Sequence, residues 1–285
     1  MRYRRVTSPV LVNQSTSFLP ARASASALFN DMIRDLLHLS GKNALVTGSS
    51  QGIGQAIALA LAEFGANVLV HNRKGDDEAQ QVVGQIRQLG VRSEAIGVDL
   101  LRPDAADQLY DQARQALGPI DILVLNASIQ LPDEWEDTDA DEFDRQVNAN
   151  WKSTLLITQR FVADMADRGW GRILTIGSVQ EEKPHPSMIV YAGTKAAVAN
   201  MVRNLALQLA SQSITVNNLS PGVIETPRTD EPTPEVPEHI AQRMQIPLGE
   251  MGQPNDIAGM ALLLCSEAGR YITGQTIFVD GGMSL

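Results

Sequence analysis

The sequence predicts an α/β fold, a doubly wound parallel sheet of about seven strands with helices on both faces. Three observations predict it. From residue 43 onward short apolar runs alternate with helix-length segments; a glycine-rich turn joins the first run to the first helix; and 285 residues suit one large α/β domain. Short apolar runs separated by helices describe parallel strands covered on both faces.

Asn43–Thr47 (N-A-L-V-T) is the first strand, and Ile53–Phe64, rich in Ala and Leu, is the first helix. Val68–Val70 is a strand, Asp77–Leu89 a polar helix, Glu94–Val98 a strand, Pro103–Leu117 a helix and Ile120–Leu125 a buried strand. The alternation resumes with a helix over Phe143–Asp167, a strand at Arg172–Ile176 and a helix at Tyr191–Ala210. Strands at Ile214–Leu219 and Thr276–Val279 complete the set. Neither turn-rich loop, Leu131–Asp141 or Thr226–Pro237, has the character of a domain linker, so residues 32–285 read as a single domain.

Residues 1–31 read differently. They carry Arg2, Arg4, Arg5 and Arg22 against Asp31 alone, five serines and no apolar periodicity. This is an extended N-terminal arm, ordered against a neighbouring subunit if native; Arg- and Ser-rich composition also fits a mitochondrial transit peptide. An upstream mis-assigned start, with Met32 opening the protein, or a cloning remnant gives the same composition. The arm's +3 leaves −13 of the overall −10 on the remainder. With a pI near 4.9, that acidity argues against nucleic acid and, more weakly, against anionic membranes as partners. The one cysteine, Cys265, excludes an internal disulfide and reads as a buried helix residue in a reducing, cytoplasmic setting. No apolar stretch reaches the roughly 18 residues of a membrane helix. His38, His71, His185 and His239 lack metal-ligand spacing, so no catalytic metal is expected. Met251, Met260 and Met283 read as packing residues.

Thr47–Gly54 reads T-G-S-S-Q-G-I-G between the first strand and helix. Gly48, Gly52 and Gly54 let the backbone turn sharply and approach a pyrophosphate, with Ser50, Gln51 and Ile53 beside it and the helix N-terminus aimed at the anion. This is the phosphate cradle of a Rossmann-type, dinucleotide-binding fold. An acidic residue at the end of the second strand would bind the adenine ribose of NAD; this chain has Asn72, then Arg73 and Lys74. A guanidinium grips a 2′-phosphate bidentately, so NADP(H) is favoured and NAD(H) remains open. Asp99, ending the third strand before Leu100, can accept from the adenine amino group.

Ser178, Tyr191 and Lys195 are the candidate chemical groups. Tyr191 and Lys195 lie four apart on one face of a helix. A free tyrosine titrates near 10, and acting near pH 7 takes about 4 kcal/mol of preference for phenolate. An ammonium about 5 Å away supplies roughly 3 kcal/mol at an effective dielectric of 20, and an oxidised nicotinamide adds to it. The pair therefore suits a general acid/base, with Ser178 donating to the substrate oxygen.

With those residues in place, the chain resembles the short-chain dehydrogenase/reductase family, single-domain branch, from about Leu39 onward. The resemblance rests on T-G-S-S-Q-G-I-G, on Y-A-G-T-K at 191–195 and on Ser178 thirteen residues before Tyr191. It implies that Asn150 is a catalytic asparagine anchoring a water relay to Lys195, and that Tyr191 and Lys195 also contact the cofactor. It implies further that Pro221, Gly222, Ile224 and Thr226 lie along the nicotinamide carboxamide, that 226–237 forms a lid, and that the chain is a homo-oligomer, tetramer or dimer. Two positions depart from the family pattern. The usual N-N-A-G appears as Leu125-Asn126-Ala127-Ser128, where Asn126 and Ala127 keep the cofactor contact and Ser128 replaces glycine; Ser153 stands where glycine is common.

For the substrate, Gln180, Glu181 and His185 offer hydrogen bonds to a polyhydroxy compound such as a sugar, polyol or sugar acid, with a small ketone as a further option. The leading expectation is hydride transfer between a nicotinamide and a carbonyl or secondary alcohol. A 3-oxoacyl-carrier-protein reductase is the alternative: eight acids over 133–144 disfavour an acidic carrier, and Arg145, Arg168 and Arg172 keep it open. A catalytically idle cofactor sensor is the other-class alternative, disfavoured by the intact Asn150, Ser178, Tyr191 and Lys195. A longer-branch epimerase would need a further substrate domain.

Overall fold

The computed structural model describes residues 32–230 and 233–285; the arm at 1–31 lies outside the described residues. In chain order the elements are α1 (Ile33–Leu37), β1 (Asn43–Val46), α2 (Gly52–Glu63), β2 (Asn67–Asn72), α3 (Asp77–Gln88), β3 (Ser93–Gly97), α4 (Ala105–Ala116) and β4 (Ile122–Leu125). There follow α5 (Ala140–Val147), α6 (Ser153–Arg168), β5 (Gly171–Ile176), α7 (Ile189–Leu209), β6 (Ile214–Pro221), α8 (Glu238–Arg243), α9 (Pro254–Cys265) and β7 (Thr276–Val279).

All seven strands pair in parallel in the order β3-β2-β1-β4-β5-β6-β7. Successive side chains on each strand point to opposite faces, so each strand feeds two cores. Ala44, Val46, Ile122 and Val124 join Ile57, Leu61, Ile86 and Leu264 beneath α2, α3 and α9. Leu45, Leu123 and Leu125 join Leu109, Phe161 and Val202 beneath α4, α6 and α7. The chain winds outward from β1 to β3, then returns to lay β4 on β1's other side. That reversal opens a crevice at the C-terminal ends of β1 and β4, where this topology places ligands.

The single helix expected over 143–167 is two helices joined by a π-turn at Asn148–Lys152. Helical φ/ψ run through the junction, so no break in the apolar period marks it in the sequence. The extra residue in the turn sets Asn150 facing inward, buried. The alternation also missed α9. Pro254 opens it at the first turn, and the Gln253 N–H donates to Asp256 Oδ2 at 2.6 Å. Cys265, as expected, is a buried helix residue, and burial pushes its thiol up to about 12. Among the described residues no helix is long and apolar enough to cross a membrane.

Candidate functional site

The glycine turn is held from three sides. The backbone N–H groups of Asn126 and Ala127 donate to Thr47 Oγ1 at 2.9 and 3.0 Å, and Asn126 Nδ2 donates to the carbonyls of Thr47 and Gly48, both at 2.9 Å. Gly48 and Gly52 sit at φ +62° and +57°, where side chains are strained. A Cβ on Gly48 would lie 2.9 Å from Ala127 Cα, and one on Gly54 would overlap the Gly48 carbonyl and reach Asn126 Nδ2 at 2.5 Å. The turn is thus packed tightly enough to exclude side chains at Gly48 and Gly54 and present the first amides of the twelve-residue α2 to the crevice. That cradle fits a pyrophosphate.

Behind the cradle stands His71, fully buried. Its Nδ1 accepts from Gly48 N–H at 3.2 Å and its Nε2 faces the Val98 carbonyl at 3.0 Å, so the neutral ring is a brace between β2, β3 and the turn. Burial lowers its pKa to about 4. No local pattern announces this role; the bonds join residues that only the parallel sheet brings together.

A cavity of about 520 Å³ runs from the glycine turn to the C-terminal ends of β5 and β6. It is lined by most of the expected residues: Gly48 and Ser50 to Gly54, Asn126 to Ser128, Ser178, Tyr191, Lys195, Pro221, Gly222, Ile224 and Thr226. Asn72, Arg73, Asp99 and Leu100 lie beyond it, at the ends of β2 and β3. Asn72 Oδ1 accepts from Lys74 N–H at 3.0 Å and its Nδ2 donates to Asp76 at 2.6 Å, so this side chain shapes its own turn. Arg73 and Lys74 are exposed and carry no ion pair among the described residues. Asp99 Oδ1 accepts from Leu101 N–H.

At the inner end Lys195 Nζ lies 5.5 Å from the centre of the Tyr191 ring and donates to the Ile176 carbonyl at 2.6 Å. Burial lowers the Lys195 pKa; Tyr191 opposes that shift, and the Arg228 charge adds to it. Ser178 stands two residues past β5, its Oγ accepting from Gln180 N–H at 3.2 Å. Asn150 does not line the cavity. Its side chain brackets the Ile129 backbone, accepting from N–H at 2.7 Å and donating to C=O at 2.8 Å, and donates to Thr194 Oγ1 at 3.1 Å. It is a tie between the π-turn, the β4 loop and α7.

Of the three expected substrate contacts, Gln180 and His185 line the cavity and Glu181 does not. The Glu181 carboxylate turns inward, accepting from Ser178 N–H at 2.9 Å, Asn218 Nδ2 at 2.9 and 3.0 Å, and Ser220 Oγ at 2.8 Å. Buried polar groups at the head of β6 need an acceptor, and Glu181 provides it. His185 is held by Gln180 Oε1 and Ser187 N–H, and burial lowers its pKa against the Glu134 charge. Sequence reasoning missed Gln130, Val179, Met188, Met244 and Arg228 in the lining, and Met251 and Met283, read as packing, also face the cavity. A second hollow of about 400 Å³ shares His185 and Met244 with the first and adds Trp135, Ile189 and Ile240. Arg172 is buried against Ser266 and Glu267, and Arg168 pairs with Asp121 at 3.1 Å; neither presents a free basic dock. Among the described residues no group of three His, Cys, Asp or Glu could hold a metal.

A family model described as enoyl-(acyl carrier protein) reductase matches residues 48–284. The chain is 34% identical to 3β-hydroxysteroid dehydrogenase 1 of Eggerthella lenta over 87% of its own length and 95% of the relative's. It is 39% identical to 7α-hydroxysteroid dehydrogenase of Escherichia coli K12, covering 87% and 96%. Its fold superposes on a crystal structure of 3-oxoacyl-(acyl-carrier-protein) reductase from Agrobacterium tumefaciens C58 with NADP bound. The TM-score is 0.80 at 34% identity, covering 88% and 97% of the two chains. Sequence, fold and the shape of the crevice agree: the chain belongs to the short-chain dehydrogenase/reductase family.

Proposed function

We propose that residues 32–285 form one catalytic domain that is an NADP-preferring oxidoreductase of carbonyl compounds and secondary alcohols, with Tyr191 as its general acid/base. One observation carries this reading: Tyr191, Lys195 and Ser178 converge at the inner end of a cleft whose outer end is a glycine turn with no room for a side chain at Gly48 or Gly54. When bound, the nicotinamide supplies hydride for reduction or accepts it for oxidation. In reduction Ser178 holds the substrate oxygen and Tyr191 O–H gives it a proton as the carbonyl carbon gains hydride; oxidation runs the same steps in reverse. The Lys195 ammonium, fixed by the Ile176 carbonyl, favours the phenolate that Tyr191 leaves behind. Asn150 keeps the π-turn and α7 in register through Ile129 and Thr194, so its contribution to a relay is one of placement.

NADP is preferred because no carboxylate ends β2 and Arg73 stands exposed there, open to a 2′-phosphate; NAD(H) is the lesser cofactor. The acidic charge fits a cytoplasmic enzyme that binds neither nucleic acid nor membrane, the mitochondrion being the alternative if the arm is a transit peptide. A homotetramer or dimer would cover Leu207 and Tyr271, 84% and 97% exposed, and the half-covered edge strand β7. A 3-oxoacyl-carrier-protein reductase is the second reading, favoured by the description of the Agrobacterium relative and weakened by the engaged Arg168 and Arg172.

The test is turnover with NADPH and NADH separately against small ketones, keto-sugars, polyols, bulky apolar ketones and a 3-oxoacyl thioester. The reading expects NADPH-dependent reduction of at least one carbonyl compound; turnover with none, or with NADH alone, contradicts it.

A further inference from the structure

Arg228 lies on the short turn Pro227–Asp230, two residues beyond Thr226, at the mouth of the cleft. The base of this segment rests on the phosphate cradle: a Cβ on Gly52 would meet Thr226 Cγ2 at 3.2 Å. From there the guanidinium crosses to the opposite wall. Nη1 donates to Ser128 Oγ at 3.0 Å and Nη2 to the Ser128 carbonyl at 2.8 Å, a bond between residues one hundred apart in sequence. Ser128 is the position where the chain departs from the usual glycine, and glycine would retain only the second of these bonds.

The guanidinium is exposed, and the two partners that hold it are neutral oxygens of Ser128. Two of its five N–H donors are engaged by Ser128; the fork leaves others for a ligand. Arg228 lines the same cleft as Gly52, Ile53 and Gly54 of the first turn of α2, and Lys195 is the other cation in that lining. An anion in the cradle would therefore have helix amides on one side and a guanidinium on the other.

We propose that Arg228 and Ser128 form a clasp that closes over the bound dinucleotide, with the Arg228 guanidinium as a ligand of its pyrophosphate. The proposal rests on the dinucleotide-dependent reading above. Because the pyrophosphate is common to NADP(H) and NAD(H), Arg228 governs affinity and release for both, whereas Arg73 acts on the 2′-phosphate that only NADP(H) carries. Opening the clasp gates cofactor exchange.

The test measures dissociation constants and release rates of NADPH and NADH from the full chain by nucleotide fluorescence, without substrate. Arg228→Gln is expected to weaken both dinucleotides by the same factor, about tenfold for one charge-assisted pair, mostly through faster release. Ser128→Gly removes one of the two clasp bonds and is expected to speed release of both about twofold or more. Arg228→Lys keeps the charge without the fork and falls between wild type and Arg228→Gln. Arg73→Gln, as the comparison, weakens NADPH alone. Unchanged affinity for both dinucleotides in Arg228→Gln, or a loss confined to NADPH, overturns the assignment; unchanged release in Ser128→Gly overturns the clasp. Failure of the wild-type chain to bind either dinucleotide would instead count against the underlying oxidoreductase reading.

Discussion

Replacing Glu181 separates two accounts of one residue. As a substrate ligand, which the sequence suggests, Glu181→Ala would raise KM and leave stability alone. As the inward acceptor seen in the structure, it would do the reverse. Removing the carboxylate takes the partner from Ser178 N–H and from the Ser220 hydroxyl; Asn218 Nδ2 keeps Ser220 Oγ at 3.0 Å and Thr276 Oγ1 at 3.4 Å. Two orphaned donors at about 1.5 kcal/mol each give a loss of roughly 3 kcal/mol. In a chain of this size that lowers the melting temperature by about 6–10 °C. Glu181→Gln keeps an oxygen for Ser178 and Ser220 and sets an amide against Asn218, a loss of about 1 kcal/mol. Scanning calorimetry of the cofactor-free protein reads both values. A melting temperature for Glu181→Ala within about 2 °C of wild type, with KM raised, would refute the inward reading. Ser178, whose N–H the carboxylate holds, should lose its register as well, so kcat is expected to fall with stability in the alanine variant.

Two further outcomes follow from the cradle. His71 stays neutral in the folded chain down to about pH 4, whereas an unfolded histidine takes up its proton near 6.5. Stability is therefore full above that window and declines as pH falls from 6.5 to 4, by about 3 kcal/mol; His71→Gln removes that part of the slope in urea midpoints, and an unaltered slope contradicts the assignment. Gly54→Ala forces a methyl group onto the Gly48 carbonyl and Asn126, an overpacking of about 1–3 kcal/mol. NADPH affinity by calorimetry should fall at least tenfold, and unchanged affinity would show that the turn does not form the cradle.

What could be read from the chain was what depends on neighbours in sequence. Ile122–Leu125 and Arg172–Ile176 announce buried strands by composition, and the glycine turn and the Tyr191–Lys195 spacing carry their chemistry locally. What could not be read depends on residues the fold brings together. Glu181 sits in a polar run that reads as substrate contacts until Asn218 and Ser220 arrive from β6, and Arg228 looks like a lid residue until Ser128 stands opposite. The π-turn is invisible because Asn148–Lys152 keeps helical backbone angles on both sides. In α9, Ala, Leu and Met occupy nearly every face, so no amphipathic period marks the helix.

In the proposed reaction Tyr191 O–H is the proton-transferring group. Tyr191→Phe removes that oxygen and keeps the ring beside Lys195. NADPH affinity should stay within about threefold of wild type, while turnover of whichever carbonyl compound the enzyme reduces should fall by about 10²–10⁴-fold, the range of general acid/base catalysis. Turnover within about tenfold of wild type in that variant, measured at saturating NADPH, would contradict the account.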